Sequence, residues 1–219
     1  MSIRVLRGLG CALTVSAAPI ASAGSMTVVV GDSYGSSTGG EFNLTPSGLP
    51  FTPVSYSGGA SFESFCIERS EHISIGGTYH VDVTTEARNG GNGGGSPDPL
   101  DPLTAYLYSQ FVKGSLVDYA YDVSGGAAAR EASANALQDV IWYIEQEQGA
   151  TWTLGDNSLR DRFYQDAVAN SNGSINDVRV LNLYADAGHT DFHQDQLVRI
   201  PEPATVWLMV GALALLRRR

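Results

Sequence analysis

Short segments in the first half of the chain show the patterns of β-strands. The β-branched run Met26–Val30 predicts a first strand, and polar and apolar residues alternate in Ser61–Glu68 and Thr78–Ala87. Such alternation is typical of strands with one face buried. Gly31–Gly59 is rich in Gly, Ser, Thr and Pro and predicts loops with short edge strands, whereas the glycine-rich Arg88–Pro102 predicts a flexible loop.

The second half begins with helical patterns and returns to strands. Apolar positions recur at helical spacing in three segments: Leu103–Val112, Arg130–Gln148 and Ser158–Ala169. We expect Gly149 to stop the second helix and Ser158 to cap the third. Two closing strands follow, Val178–Tyr184 and Gln196–Ile200. This order predicts an α+β fold, a β-sandwich or barrel-like sheet with a helical insert.

The first 23 residues have the pattern of a cleavable secretory signal peptide. Two arginines precede the apolar stretch Leu9–Ile20, and the small residues Ala21-Ser22-Ala23 follow it. We expect Cys11 to leave with this leader, although its position also allows a lipoprotein, for which Gly8-Leu9-Gly10 is a poor match. A buried N-terminal helix is the other alternative.

The C-terminus combines an apolar run with a basic end. Ala204–Leu216 is uninterrupted by charge, and three arginines, Arg217–Arg219, close the chain. The run is shorter than the roughly 20 residues of a full membrane span, so we expect a short transmembrane helix with its arginines in the cytoplasm. A terminal core helix is the alternative, but it does not account for the arginines.

This end of the chain resembles the PEP-CTERM sorting signal. Pro201-Glu202-Pro203, a short hydrophobic helix and a basic tail follow one another in the last twenty residues. The resemblance implies processing by an exosortase in a bacterium that makes exopolysaccharide, with transient inner-membrane anchoring before transfer to the cell surface or matrix. The expected organisation is a signal peptide (1–23), one extracellular domain (24–199) and the sorting signal (200–219).

Composition narrows the class of partner. Hydrophobic residues make up 43% of the 219 residues, and the formal net charge is −10. Five of the 13 basic residues lie in the two terminal segments, so the central domain is more acidic still: Arg4, Arg7, Arg217, Arg218 and Arg219. Such a surface repels phosphates, and we therefore exclude nucleic acid and anionic lipid as partners.

Cys66 is the only cysteine once the leader is removed, and it lies in the motif "FCIE". The motif "LQDVIW" places Gln138 in an otherwise apolar helix face, with Trp142 one turn further on. A buried amide needs a partner, which in the simplest case is a backbone group. The cysteine alone allows an inert core residue or an intermolecular disulfide, and His72 or His80 would be needed for a Cys-His hydrolase.

Together, the two motifs resemble the halves of bacterial surface thioester domains. The resemblance implies that the Cys66 thiol displaces ammonia from the Gln138 amide and forms an internal thioester, with Phe65 and Trp142 excluding water. An amine or hydroxyl nucleophile on a partner would then be captured covalently, which implies an adhesin of cell surface or biofilm, and not an enzyme. The alternatives are a non-covalent structural protein of the exopolysaccharide matrix and an unrecognised extracellular hydrolase.

Other candidate sites are weaker. His189 and His193 are four residues apart among acidic residues and could bind a metal on a helix, but the context favours a solvated loop. Asp98 and Asp101 could bind calcium, but they lack the regular spacing of a calcium loop and favour a rigid turn. We predict no metal and no cofactor.

Overall fold

The computed structural model describes residues 26–35, 39–88, 95–147, 149 and 152–201. The predicted signal peptide and the apolar run of the sorting signal lie outside these residues, as do Glu202 and Pro203. Among the described residues, no helix is long and apolar enough to cross a membrane.

Within the described residues, eight strands form one six-stranded antiparallel sheet and one two-stranded ribbon. The strands are β1 (Thr27–Gly31), β2 (Phe42–Ser47), β3 (Phe62–Ser64), β4 (Thr78–Thr84), β5 (Glu86–Ala87), β6 (Asp98–Pro99), β7 (Val178–Tyr184) and β8 (Phe192–Arg199). The order in the large sheet is β3-β2-β1-β4-β7-β8, and β5 pairs with β6. The expected α+β class is therefore correct, with the sheet curled into a half-barrel.

The curl brings the two edge strands together just after β3. Cys66 forms an isolated antiparallel bridge with Gln196 of β8. On either side of it, the Phe65 carbonyl accepts a 3.0 Å hydrogen bond from β8 and the Ile67 amide donates one of 3.1 Å to β8. The segment that carries Cys66 thus joins the first and last strands in sheet order.

The end of β8 is fixed by two neighbouring segments. The Val54 amide donates to the Arg199 carbonyl at 2.9 Å, and the Ile200 amide donates to the Asp177 carbonyl at 2.8 Å. Arg199 also forms an ion pair with the Asp177 carboxylate at 2.7 Å. Pro201, the first residue of the predicted sorting motif, follows directly.

Three helices are inserted between β6 and β7: α1 (Pro102–Val112), α2 (Ala128–Ile144) and α3 (Leu159–Asn170). The Asp101 carboxylate caps α1 by accepting from the Leu103 amide, and the Ser158 hydroxyl caps α3 by accepting from the Asp161 amide. These polar oxygens satisfy amides that have no partner within their helix. The predicted cap at Ser158 is confirmed.

The core lies on both faces of the sheet because successive strand residues alternate sides. Val178 and Val180 of β7 pack under the helices, whereas Leu181 and Leu183 pack on the opposite face. The helical side is completed by Leu107, Phe111, Leu137, Ile141 and Phe163, all buried. The helical insert therefore covers one face of the sheet.

Several elements differ from the sequence-based expectation. Strand β3 covers only part of the expected Ser61–Glu68, β8 begins at Phe192 and not at Gln196, and β6 lies within the expected loop Arg88–Pro102. The second helix stops at Ile144, four residues before the expected end at Gln148, because Gln146 adopts a left-handed φ of 62°. The Gln146 and Glu147 amides then bond to the carbonyls of Tyr143 and Trp142, a Schellman ending that Gly149 does not provide. Strand β2, moreover, lies inside the sheet and not at its edge.

Removing the cap of α3 tests this helix directly. We expect Ser158→Ala to lower the free energy of unfolding by about 1 kcal/mol, because the Asp161 amide loses its acceptor. Urea unfolding followed by circular dichroism measures the change. Ser158→Asp keeps an acceptor and should unfold close to the wild type; equal losses in both variants would contradict the capping role.

Candidate functional site

Cys66 and Gln138, which are 72 residues apart in sequence, are joined by two hydrogen bonds. The Cys66 amide donates to Gln138 Oε1 at 3.0 Å, and Gln138 Nε2 donates to the Cys66 carbonyl at 2.8 Å. Both residues are buried. The simplest expectation for Gln138, a bond to a backbone group, is thus met, and that backbone belongs to Cys66.

A second amide reaches the same oxygen of Gln138. The Gly40 amide donates to Oε1 at 3.2 Å, so two backbone N–H groups converge on one side-chain carbonyl. Convergent donors of this kind stabilise negative charge that develops on a carbonyl oxygen during attack by a nucleophile. The amide carbon of Gln138 is therefore in an environment that favours addition.

Trp142 covers the pair from the next turn of α2. Its indole packs against Cys66 in a small apolar cluster, with Phe42 and Tyr143 at its border. Gly39 fits below the ring because it has no side chain: a Cβ there would lie 2.5 Å from the Trp142 ring and 3.0 Å from Gln138 Cγ. The indole therefore covers the site on this side.

The thiol of Cys66 is free, buried and in contact with one polar side chain. Gln196 Nε2 lies 3.4 Å from Cys66 Sγ and donates to it. Burial raises the pKa of the thiol well above its usual range, and the hydrogen bond from Gln196 opposes this shift. Because no second chain can reach a fully buried sulfur, the geometry disfavours an intermolecular disulfide.

A buried ion pair holds the glycine segment against α2. Arg130 on the first turn of α2 bonds the Glu41 carboxylate through two nitrogens, at 2.7 and 3.1 Å. The Tyr119 hydroxyl donates to the same carboxylate at 2.8 Å, and the ring of Tyr34 lies under the guanidinium at 4.3 Å. Glu41 follows Gly40 directly, so this ion pair positions the second amide on Gln138.

A cavity of about 350 Å³ lies outside the covered pair. Its lining includes Gly39 and Phe42, which border the site, and also Arg69, His72 and Gln194. The guanidinium of Arg69 lies 5.4 Å from the centre of the Trp142 ring. The cavity is thus separated from Cys66 by the residues that cover the thiol.

Phe65 is not part of this cover, contrary to expectation. Its ring lies in the core under the helices, 5.0 Å from that of Phe111 in an edge contact. The reason is the alternation of an extended segment, which points Phe65 and Cys66 to opposite sides. Phe42 and Tyr143 take the place expected for it.

The histidines contact other groups. His189 forms a 3.0 Å contact with Asp82 and stacks on Tyr184, whereas Nδ1 of His193 lies 3.0 Å from the His72 carbonyl. The ring of His80 is 6.3 Å from that of His189. In the described part of the chain, no group of three or more His, Cys, Asp or Glu side chains is arranged to hold a metal ion.

The acidic turn expected at "PDPLDP" is partly regular structure. Asp98 belongs to strand β6, and Asp101 caps α1, with its Oδ1 accepting from the Leu103 amide at 2.7 Å. Its carboxylate is therefore engaged with the helix backbone.

Several residues of the site carried no separate sequence signal. Gly39, Gly40 and Glu41 lie in a stretch rich in glycine and serine that predicts only loops. The signal for Gln196 is the polar run "HQDQ" next to the apolar Leu197 and Val198, and Gln194, Asp195 and Gln196 of this run are buried in strand β8. Buried polar side chains opposite a cysteine indicate a polar site within a core.

Comparison of the chain with protein-family models, with curated proteins and with solved structures found no match. The likeness to PEP-CTERM signals and to thioester domains therefore rests on sequence motifs alone. The hydrogen-bond geometry around Cys66 is an independent observation.

Breaking the buried ion pair from one side should be costly. We expect Arg130→Met to lower the free energy of unfolding by about 3–5 kcal/mol, because Glu41 then stays buried without its cation. Thermal and urea unfolding measure the loss. The double variant Arg130→Met, Glu41→Gln removes the unpaired charge and should recover much of it; a double variant as unstable as the single one would contradict this explanation.

Proposed function

We propose that this chain is an exported bacterial surface or matrix protein that attaches covalently to its partner through an internal thioester between Cys66 and Gln138. The single observation that carries the proposal is the convergence of the Cys66 and Gly40 amides on Gln138 Oε1 beside the buried thiol. The export and sorting signals named from the sequence supply the location in this proposal.

The chemistry is an acyl exchange within the domain. Cys66 Sγ bonds to the amide carbon of Gln138, the negative charge of the tetrahedral intermediate falls on Oε1, and the C–N bond breaks to release ammonia. The two amides stabilise that charge without rearrangement, since they already point at the oxygen. The cover of Trp142 and Phe42 protects the product from hydrolysis.

The cavity beside Gly39 supports a route for the partner. An amine or hydroxyl in this cavity lies against Gly39 and Phe42, whereas Gln138 does not line it, so attack requires the cover to move. The nucleophile then takes the acyl group, and the Cys66 thiol is released. Because the thiol is released unacylated and the Gln138 acyl group is consumed, each molecule reacts once.

One observation favours the second candidate, a non-covalent structural protein of the exopolysaccharide matrix. In that case Gln138 is a polar link between α2 and the sheet, with both ends of its amide satisfied by the Cys66 backbone. Burial, which raises the pKa of the thiol, would then keep Cys66 inert. The two candidates differ in whether a thiol remains.

Intact mass spectrometry separates them. We expect the purified domain, residues 24–199, to have a mass lower than calculated by one ammonia and no titratable thiol after unfolding without reductant. Methylamine should convert it to a species heavier by one methylamine, with the adduct on Gln138 and a thiol on Cys66.

Two controls accompany this measurement. Cys66→Ala and Gln138→Ala should both have their full calculated masses and form no adduct. A wild-type domain with the full calculated mass and one titratable thiol would overturn the thioester and leave the structural role.

The Gly39 position tests the geometry of the site. We expect Gly39→Ala to slow thioester formation about tenfold or more, because the new methyl group displaces Trp142 or the Gly40 amide. The measurement is the fraction of thioester against time during refolding. Gly58→Ala is the matched control: it also has a positive φ, 72°, but its Cβ meets nothing within 4 Å. Equal rates in the two variants would show that the amide contact is unimportant.

A further inference from the structure

A buried carboxyl group on the segment that carries Cys66 has no role in the site described so far. Glu68, two residues after Cys66, is fully buried, and its Oε2 accepts a 2.8 Å bond from the Asp195 amide. Its other oxygen, Oε1, is buried and has no hydrogen-bond partner in the described structure. The same is true of Oε1 of Gln196, the residue whose Nε2 donates to the Cys66 thiol.

Unsatisfied buried oxygens are costly and call for an explanation. Leaving such a group without a partner costs about 1–3 kcal/mol. Two such oxygens lie in this region, one on Gln196, which bonds the thiol, and one on Glu68, two residues after Cys66. They indicate a place where a proton or a small polar molecule is accommodated during a reaction. Ammonia, the leaving group of the proposed acyl exchange, is such a small polar molecule.

Glu68 belongs to a pair of carboxyl groups whose proton has a preferred position. Asp195 accepts three hydrogen bonds, from the Arg88 amide at 2.7 Å, from Asn182 Nδ2 at 2.6 Å and from the Leu183 amide at 3.0 Å. These donors favour its ionised form. The Glu68 carboxyl group accepts only one hydrogen bond, from the Asp195 amide. Its ionised form is therefore less stabilised than that of Asp195, and the shared proton is expected on Glu68.

The charges around the pair act in the same direction. Burial raises the pKa of Glu68, and the charges of Asp195 and Glu71 raise it further. Burial also raises the pKa of Asp195, although its hydrogen bonds oppose the shift. Tyr184 on β7 and the Cys66 thiol are the other titratable groups that these carboxyl groups influence. The hydrogen bonds and the surrounding charges thus both favour the neutral acid form of Glu68.

The acyl exchange needs a group that can both donate and accept a proton, as a neutral carboxylic acid can. The thiol does not ionise readily in its buried position, and the amide nitrogen of Gln138 cannot leave without an added proton. One proton must therefore move from Cys66 Sγ to Gln138 Nε2 while the S–C bond forms and the C–N bond breaks. Nothing else is gained or lost, because a thiol and an amide give a thioester and ammonia.

We propose that Glu68 carries this proton, giving its own proton to the leaving nitrogen of Gln138 and taking up the proton of the Cys66 thiol through its carboxyl group. The inference rests on the proposed thioester and adds a residue to it. Asp195 is a positioning residue in this scheme, since it keeps the proton of the pair on Glu68. The free oxygen of Glu68 and that of Gln196 accept hydrogen bonds from the nascent ammonia.

The test compares rates of thioester formation from a common starting state. Denaturing the domain in guanidinium with ammonia and a reductant restores the amide and the thiol, whatever the folded site contains. Refolding in ammonia-free buffer then starts the reaction, and intact mass gives the fraction that has lost ammonia against time. The rate is measured from pH 5 to pH 10.

We expect Glu68→Gln to form the thioester about a hundredfold more slowly, in the range of general acid–base effects. The amide resembles the neutral acid in shape and accepts the same Asp195 bond, so the variant should refold with the wild-type circular dichroism spectrum. Glu145→Gln is the matched control, because Glu145 is a buried carboxyl on the far end of α2 that bonds the Asp101 amide. It should react at the wild-type rate.

The pH profile of the wild type is an independent readout that needs no variant. The acid form of Glu68 is lost as pH rises through its raised pKa, so the rate should be level near neutrality and fall in the alkaline range. A reaction driven by a free thiolate would instead accelerate with pH. A wild-type rate that rises with pH, or a Glu68→Gln variant as fast as the wild type, would overturn the proposed proton transfer through Glu68. A wild type that never loses ammonia would overturn the thioester itself.

Discussion

The fold depends on one buried amide. The side chain of Gln138 bonds both the amide and the carbonyl of Cys66, and it does so where the curled sheet closes on itself. A buried amide without partners is costly, so this contact fixes the register between helix α2 and the closing segment. The helical insert and the two edges of the sheet are thereby held at one place.

The polar groups around this contact differ in how fully their hydrogen bonds are satisfied. The Arg130–Glu41 pair is fully bonded and rigid, and it holds the glycine segment in place. Gln196, which bonds the thiol, and Glu68, two residues after Cys66, each keep one side-chain oxygen without a hydrogen-bond partner. A domain built only for stability would replace such oxygens with apolar groups. Because these oxygens lie in the region of a buried cysteine, we regard this part of the core as a candidate reactive site.

Much of the regular structure could be predicted from the sequence, because alternation and helical spacing are local properties. Strands β1, β4 and β7 and the helices α1 and α3 lie close to their expected bounds. The pairing of Cys66 with Gln138 was inferred from a resemblance, and the structure places the two together. Phe65 lies under the helices and not over the thiol, because alternation along the extended segment points it away from Cys66. The Gly40 amide and the ion pair could not be predicted, because they depend on contacts between distant segments.

The way β8 ends has a mechanical consequence. Its last residues are bonded to Asp177 and Val54, and the predicted sorting motif begins at the next residue, Pro201. Hydrogen bonds therefore fix the chain up to Ile200, directly before the motif. Tension applied at Pro201 would therefore run along β8 and load its hydrogen bonds to β7 and to the Cys66 segment in shear, many at once. A bond formed at Gln138 would lie at the other end of the same load path, one hydrogen-bonded segment away from the strand that is pulled.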